Sequence, residues 1–186
     1  MIEKTKILKN KLKKRENIFG GWISFGHPSI CETFANAGFD FMAIDMEHST
    51  ISLSEAQRII AASQSEGIPC FPRPVSHSND WFKPLSDSGA DGFIIPTVEA
   101  IEDVNNIINN IKYPPIGKRT YGLNRAQKYG FNSKKYFDNW NENSIIIIQI
   151  ESINAVNNIN KLIESDSIDG VMIGPYDLSG SLKVPG

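Results

Sequence analysis

Cysteine is scarce in this chain. Cys31 and Cys70 stand far apart with no CxxC spacing, so neither a zinc knuckle nor a disulfide framework is indicated, and both read as small buried hydrophobes. No stretch reaches the roughly 18 consecutive apolar residues of a membrane span. The Lys-rich start (Lys4, Lys6, Lys9, Lys11, Lys13, Lys14) lacks the apolar core of a signal peptide and reads as a solvated amphipathic helix. The chain is therefore expected to be cytoplasmic and to bind no membrane. An excess of either charge is also missing: 19 basic against 21 acidic residues give a net charge of -2, no footprint for nucleic acid. What remains, 186 residues with 40% hydrophobic and 22% charged composition, is one globular domain over residues 1–186.

Taken in order, the chain alternates short apolar runs with amphipathic segments. Strands are predicted at 19–25, 39–45, 69–73, 93–96, 144–151 and 170–174. Helices are predicted at about 29–37, 53–66, 80–88, 100–111 and 155–164. Ser52-Leu53-Ser54-Glu55 has the form of a capping box, and Gly67 closes the helix it opens. The rhythm breaks at 117–143, a polar stretch with one helix predicted near 134–141; long loops in compact domains are usually functional. After the sixth strand, 175–186 reads as loop. No sequence repeat and no linker is visible.

Such alternation means a parallel sheet with helices outside it, either doubly wound or a (β/α) barrel. No G-x-G-x-x-G follows the first strand, which counts against a dinucleotide site and favours the barrel. In a barrel, chemistry collects at the carboxyl ends of the strands. Asp45 and His48, Arg73, Gln149, Glu151 and Asp177 all fall there.

Each of these residues has a plain reading beside the chemical one. In Ile44-Asp45-Met46-Glu47-His48 an acid and an imidazole can meet above the strand, or a solvated strand end carries an incidental histidine. Glu151 and Asp177 end neighbouring strands and suit a hard divalent cation, or they cap helices and pair with lysines. The backbone N–H groups of Tyr176 and Asp177 beside them suit a small carboxylate. Arg73, between two prolines, offers donors to an anionic oxygen, or forms a surface ion pair. None of the predicted strands contains lysine, which argues against imine chemistry and leaves a metal as the electrophile.

Taken together, Ile44-Asp45-Met46-Glu47-His48, Arg73-Pro74, Gly89-Ala90-Asp91-Gly92 with Pro96, Tyr113-Pro114-Pro115-Ile116-Gly117-Lys118-Arg119, Gln149-Ile150-Glu151 and Gly174-Pro175-Tyr176-Asp177-Leu178-Ser179 resemble the HpcH/HpaI aldolase/citrate lyase family. The resemblance runs in order over nearly the whole chain. It departs at Thr120 and Lys183, where the family usually has glycine.

What the resemblance implies is a metal-dependent (β/α)8 TIM barrel, usually a homo-oligomer (a hexamer in the family). The implied reaction is class II cleavage of 4-hydroxy-2-oxo acids to pyruvate and an aldehyde, by way of a pyruvate enolate held on Mg²⁺, Mn²⁺ or Co²⁺. By the same resemblance Glu151 and Asp177 bind the metal, and Gln149 with the amides of Tyr176 and Asp177 holds pyruvate. His48 is the base, Arg73 stabilises the enolate, and Asp87, together with Asp45, raises the basicity of His48. About six βα units are present, so an incomplete barrel is expected, with the last two units missing and two sheet edges open. Two other readings remain open: an acyl-CoA lyase relative of the same superfamily, which needs a basic pocket that is not visible, and a non-catalytic remnant serving as an interaction subunit.

Overall fold

Strands and helices alternate throughout the computed structural model, which describes residues 1–186. Helix α1 (Ile2–Lys13) comes first, and β1 (Gly20–Ile23), α2 (Ser29–Asn36), β2 (Phe41–Asp45) and α3 (Leu53–Ser65) follow. Next are β3 (Cys70–Arg73), α4 (Asn79–Asp87), β4 (Gly92–Ile95) and α5 (Ile101–Ile111). A 3-10 segment (Arg125–Gly130) and α6 (Ser133–Asn143) precede β5 (Ile145–Ile150), α7 (Ile153–Leu162), β6 (Gly170–Ile173) and α8 (Pro175–Ser181). All pairings are parallel, β1-β2-β3 and β4-β5-β6, with β3 beside β4. The six strands form an arc of a (β/α)8 barrel with helices outside, an incomplete barrel as the sequence predicts.

Local signals set several boundaries. Ser52 Oγ accepts the Glu55 N–H while Glu55 Oε2 accepts the Ser52 N–H at 2.8 Å, the predicted capping box of α3. Gly67 follows α3 at φ 78, a left-handed conformation that only glycine adopts without cost. β5 is buried along its whole length, as a strand covered on both faces must be.

Two-residue periodicity sorts the strand side chains into layers. Met42, Ile44, Cys70, Phe93, Ile95, Ile146, Ile148 and Ile150 face outward and join the helices in the main apolar cluster. Ala43, Phe71, Ile94, Ile145 and Ile147 face inward and form a second cluster closed from below by Leu8 of α1. One further step of two along the same strands leads from Ala43 to Asp45, from Phe71 to Arg73 and from Ile147 to Gln149. The polar layer of the mouth therefore stands directly on the apolar layer, and its position follows from strand period.

The opposite end of the barrel is knit together by a recurrence. Asp40, Asp91 and Asp169 each precede an even-numbered strand, and each accepts the N–H of a residue at the start of the preceding odd-numbered one: Phe19, Cys70 and Ile146, at 2.9, 3.1 and 2.9 Å. Lys11 and Lys9 of α1 pair with Asp40 and Asp169 at 2.7 and 3.0 Å. α1 is thus a floor, with Thr5 and Leu8 buried, where the lysine run predicts a solvated helix. The difference has a physical reason: its lysines find carboxylates at strand starts that are distant in sequence.

One further expectation is revised. The segment after the sixth strand is helical from Pro175 to Ser181, because Pro175 at the first position supplies a preset φ and needs no N–H partner. Lys183 then takes φ 61, which explains why a glycine is usual at that place. On β6 the outward side chains of Val171 and Ile173 are exposed by 41% and 58%, unlike those of β2 to β5. Cys31 and Cys70 are free and buried, as the sequence predicts.

Candidate active site

At the carboxyl ends of the strands the inward layer is polar and buried. Asp45 and Arg73 are register partners on β2 and β3, which places acid and guanidinium side by side. Arg73 Nε donates to Asp45 Oδ1 at 3.1 Å, and Nη1 donates to Gln149 Oε1 at 3.2 Å. The guanidinium also stacks over the Trp22 ring, 4.7 Å from its centroid. The sequence leaves Arg73 open between an oxyanion donor and a surface ion pair; with 8% exposure it is no surface pair.

Asp45 organises the loop that carries His48. Its Oδ1 accepts the backbone N–H groups of Glu47 and His48, both at 3.1 Å, as well as the Arg73 donor. Burial works against its charge, but Arg73 and the His48 N–H outweigh burial and hold the carboxyl below its ordinary value. Glu47 shows the opposite balance: burial and the nearby Glu151 push its carboxyl up, against the pull of Arg73. Arg73 Nη1 lies 3.1 Å from Glu47 Oε2, close enough to pair charges but misaligned, since that buried oxygen has no hydrogen-bond partner. The His48 ring is 66% exposed, with Glu47 Oε2 3.8 Å from Nε2. Asp45 therefore acts on His48 through its backbone, and the imidazole faces the open mouth.

Glu151 is buried next to this cluster and has no cationic partner. Its oxygens are held by two N–H donors, Thr97 N to Oε1 at 2.5 Å and Gln149 Nε2 to Oε2. A Cβ on Gly174 would stand 2.8 Å from Glu151 Oε2 and 2.9 Å from Gln149 Nε2, so the chain can pass this close only as glycine. Pro175 follows at once, so Tyr176 and Asp177, both exposed, open α8 beside Glu151 and Gln149. The N–H groups of that first turn have no intrahelical acceptor.

Asp87 lies elsewhere. Its Oδ1 accepts from Arg119 Nη2 at 2.9 Å, and Arg119 is boxed by the rings of Tyr113, Tyr136 and Trp140 at 4.6, 5.6 and 4.7 Å. Within this chain a fully buried guanidinium takes the Asp87 carboxylate, because leaving that charge unpaired is costly, and no contact with His48 accompanies it. Lys118-Arg119 belongs to a polar stretch of sequence, which hid an aromatic box assembled from Tyr113 and from Tyr136 and Trp140 of α6.

Two site residues escape a sequence reading. Trp22 supports Arg73, and Thr97 orients Glu151. Both stand at or just past strand carboxyl ends, and that rule, applied to every strand, is the signal that finds them. Asp45 and Glu47 share one buried guanidinium and Glu151 beside them has none, so the pocket carries an excess of negative charge. No three His, Cys, Asp or Glu side chains converge closely enough to hold an ion alone. A hard cation bound by one or two carboxylates, with water and substrate completing its shell, fits that donor set.

A parallel barrel arc with acids, an arginine and an amide gathered at its mouth is the architecture of a barrel enzyme. The profile of the HpcH/HpaI aldolase/citrate lyase family matches residues 19–186, and the chain belongs to that family. The 2-keto-3-deoxy-L-rhamnonate aldolase of Salmonella typhi is 32% identical over 179 residues, covering 95% of this chain and 67% of that protein. Among solved structures, an HpcH/HpaI aldolase from Desulfitobacterium hafniense DCB-2 superposes with a TM-score of 0.87 at 28% identity, over 96% of this chain and 70% of that one. A family protein from Burkholderia cenocepacia J2315 gives 0.89 at 28% identity, over 97% and 73%. No helix is long and apolar enough to cross a membrane.

Proposed function

We propose that the chain cleaves 4-hydroxy-2-oxo acids to pyruvate and an aldehyde with a divalent cation, Mg²⁺, Mn²⁺ or Co²⁺, held by Glu151 and Asp177. The observation that carries this reading is the buried Arg73, fixed by Asp45 and Gln149 beside a Glu151 carboxylate that has no positive partner. The cation acts as a Lewis acid that draws charge onto the oxygen of the 2-oxo group.

The chain's own residues supply the rest. Gln149 and the amides of Tyr176 and Asp177 bind the substrate carboxylate, and the aldolases among the relatives support a small acid of this kind. Arg73 uses N–H groups not aligned on Asp45 or Gln149 to stabilise the oxyanion as the enolate forms, already desolvated and oriented before reaction. His48, exposed at the mouth, takes the proton from the C4 hydroxyl as the C3–C4 bond breaks, leaving the aldehyde and the enolate of pyruvate. Asp45 holds the His48 loop through two backbone N–H groups, and Asp87 holds Arg119 under the loop around Gly122. The test is cleavage of a 4-hydroxy-2-oxo acid before and after chelation. Activity should vanish with chelator and return with Mg²⁺, Mn²⁺ or Co²⁺; full activity in excess chelator overturns the reading.

A further inference from the structure

The peptide unit joining Pro96 to Thr97 is held at both of its polar ends. Its carbonyl oxygen lies 2.6 Å from His77 Nε2. A carbonyl only accepts, so Nε2 carries the hydrogen. Its N–H, on Thr97, donates to Glu151 Oε1 at 2.5 Å. Resonance keeps both groups in one plane, so a contact that turns one turns the other. Hydrogen bonding at the carbonyl also polarises the N–H on the far side of the same peptide.

Thr97 needs such support. It is β-branched and sits at φ 54, a conformation that persists only where the surroundings impose it. On its far side the chain is pinned by buried Val98 and by Asp103 Oδ2, which accepts the N–H groups of Glu99 and Ala100 at 3.0 and 2.9 Å. His77 itself is placed by Asn106 Nδ2, which donates to its carbonyl at 3.2 Å. Asp103 Oδ1 stands 4.0 Å from His77 Nδ1, beyond hydrogen-bond range. The one hydrogen bond of the imidazole is therefore at Pro96.

We propose that His77 is a positioning residue: by fixing the Pro96–Thr97 peptide it aims the Thr97 N–H at Glu151 and so sets the direction in which that carboxylate presents its free lone pairs. Glu151 is steered from two sides, by Gln149 on its own strand and by His77 through the neighbouring loop. The effect on a cation rests on the reading given under Proposed function, whereas the clamp on Glu151 does not.

Two variants separate this role from a simple tie between loops. His77→Gln keeps an N–H that reaches the carbonyl, and His77→Leu fills the space without a donor. The first readout is the Thr97 amide resonance and its hydrogen exchange, with Glu151→Gln as the reference for loss of the carboxylate. The second is Mn²⁺ binding followed by electron paramagnetic resonance on the protein without substrate. His77→Leu should shift the Thr97 amide toward the Glu151→Gln position and weaken Mn²⁺ about 10-fold, the lower end of what outer supporting contacts contribute to a metal site. His77→Gln should restore both to within about threefold of the parent. An unmoved Thr97 amide in His77→Leu, or equal losses in the two variants, overturns the proposal. Absence of Mn²⁺ binding in the parent, with the Thr97 amide responding as described, upholds the clamp and overturns the cation reading.

Discussion

The two ends of the barrel are built from the same residue types and balanced differently. At the floor, buried cations meet a full set of acceptors. Lys112, almost wholly buried, donates to Asn141 O, Ser144 O and Ser144 Oγ at 2.8, 3.1 and 2.7 Å, three protons to three oxygens. Burial and the neighbouring Lys9 push its ammonium down to about 7, while those three acceptors favour the charged form. At the mouth, one guanidinium serves Asp45 and Glu47, a buried oxygen of Glu47 has no donor, and Glu151 has no cation at all. Matched charge holds a fold together, and unmatched charge is what a ligand can complete. The contrast therefore separates structural from functional cations without reference to any relative.

Removing a cation from each end should break different properties. At the mouth, Arg73→Ala should lower kcat/KM by about 10²- to 10³-fold, the size associated with loss of one oxyanion donor. The loss should appear both in aldol cleavage and in decarboxylation of oxaloacetate, since both pass through the same enolate. An unaffected variant would remove the enolate role of Arg73.

His48 sharpens the comparison within the mouth itself, because it is exposed where Arg73 is buried. Cleavage needs a base for the C4 hydroxyl; decarboxylation loses CO₂ and has no hydroxyl to deprotonate. His48→Ala should cost about 10²-fold in cleavage and largely spare decarboxylation. Equal losses in both assays would make His48 a positioning group.

At the floor, Lys112→Met keeps the length of the side chain and leaves Asn141 O and Ser144 Oγ without that donor, while Ser144 O keeps Lys9 Nζ at 3.2 Å. It should destabilise by about 2–3 kcal/mol, the cost of orphaned buried acceptors, while activity per folded molecule is retained. Urea unfolding with a matched activity assay checks both halves. A loss of activity at unchanged stability would mean that floor and mouth are coupled.

How much of this was legible beforehand depends on the distance over which each signal acts. Strand order and the barrel class follow from local alternation, and Asp45, Arg73, Gln149 and Glu151 follow from the rule that strand carboxyl ends carry chemistry. The helix at Pro175–Ser181 was hidden because Gly180 and two serines weaken helix propensity, while Pro175 acts only through its place at the first turn. The contact of Asp87 with Arg119 was hidden because the two lie 32 residues apart and Arg119 is boxed by rings from other segments. The recurrence of Asp40, Asp91 and Asp169 was invisible because a single residue repeating over unequal intervals leaves no sequence period. Its meaning appears only when each carboxylate is seen to accept the N–H of a neighbouring strand.

Asp40 gives the smallest and most exposed test of the floor. Its carboxylate accepts the Phe19 N–H at 2.9 Å and pairs with Lys11 at 2.7 Å. Partial burial works against the charge, but the Lys11 hydrogen bond and the Phe19 N–H prevail and hold the carboxyl below its ordinary value. An acid whose folded value lies below its unfolded one, about 3.9, stabilises the protein fully above the unfolded value, and that contribution fades as pH falls through the folded one. Asp40→Asn retains an oxygen that can accept the Phe19 N–H and removes the charge. It should lower Tm slightly at pH 7 and flatten the fall in Tm between about pH 5 and pH 3, the window in which an unfolded aspartate takes up its proton. Thermal melts of parent and variant across that window decide the matter. Parallel curves would show that Asp40 acts through its shape alone, and that the floor is held at this strand by a neutral hydrogen bond.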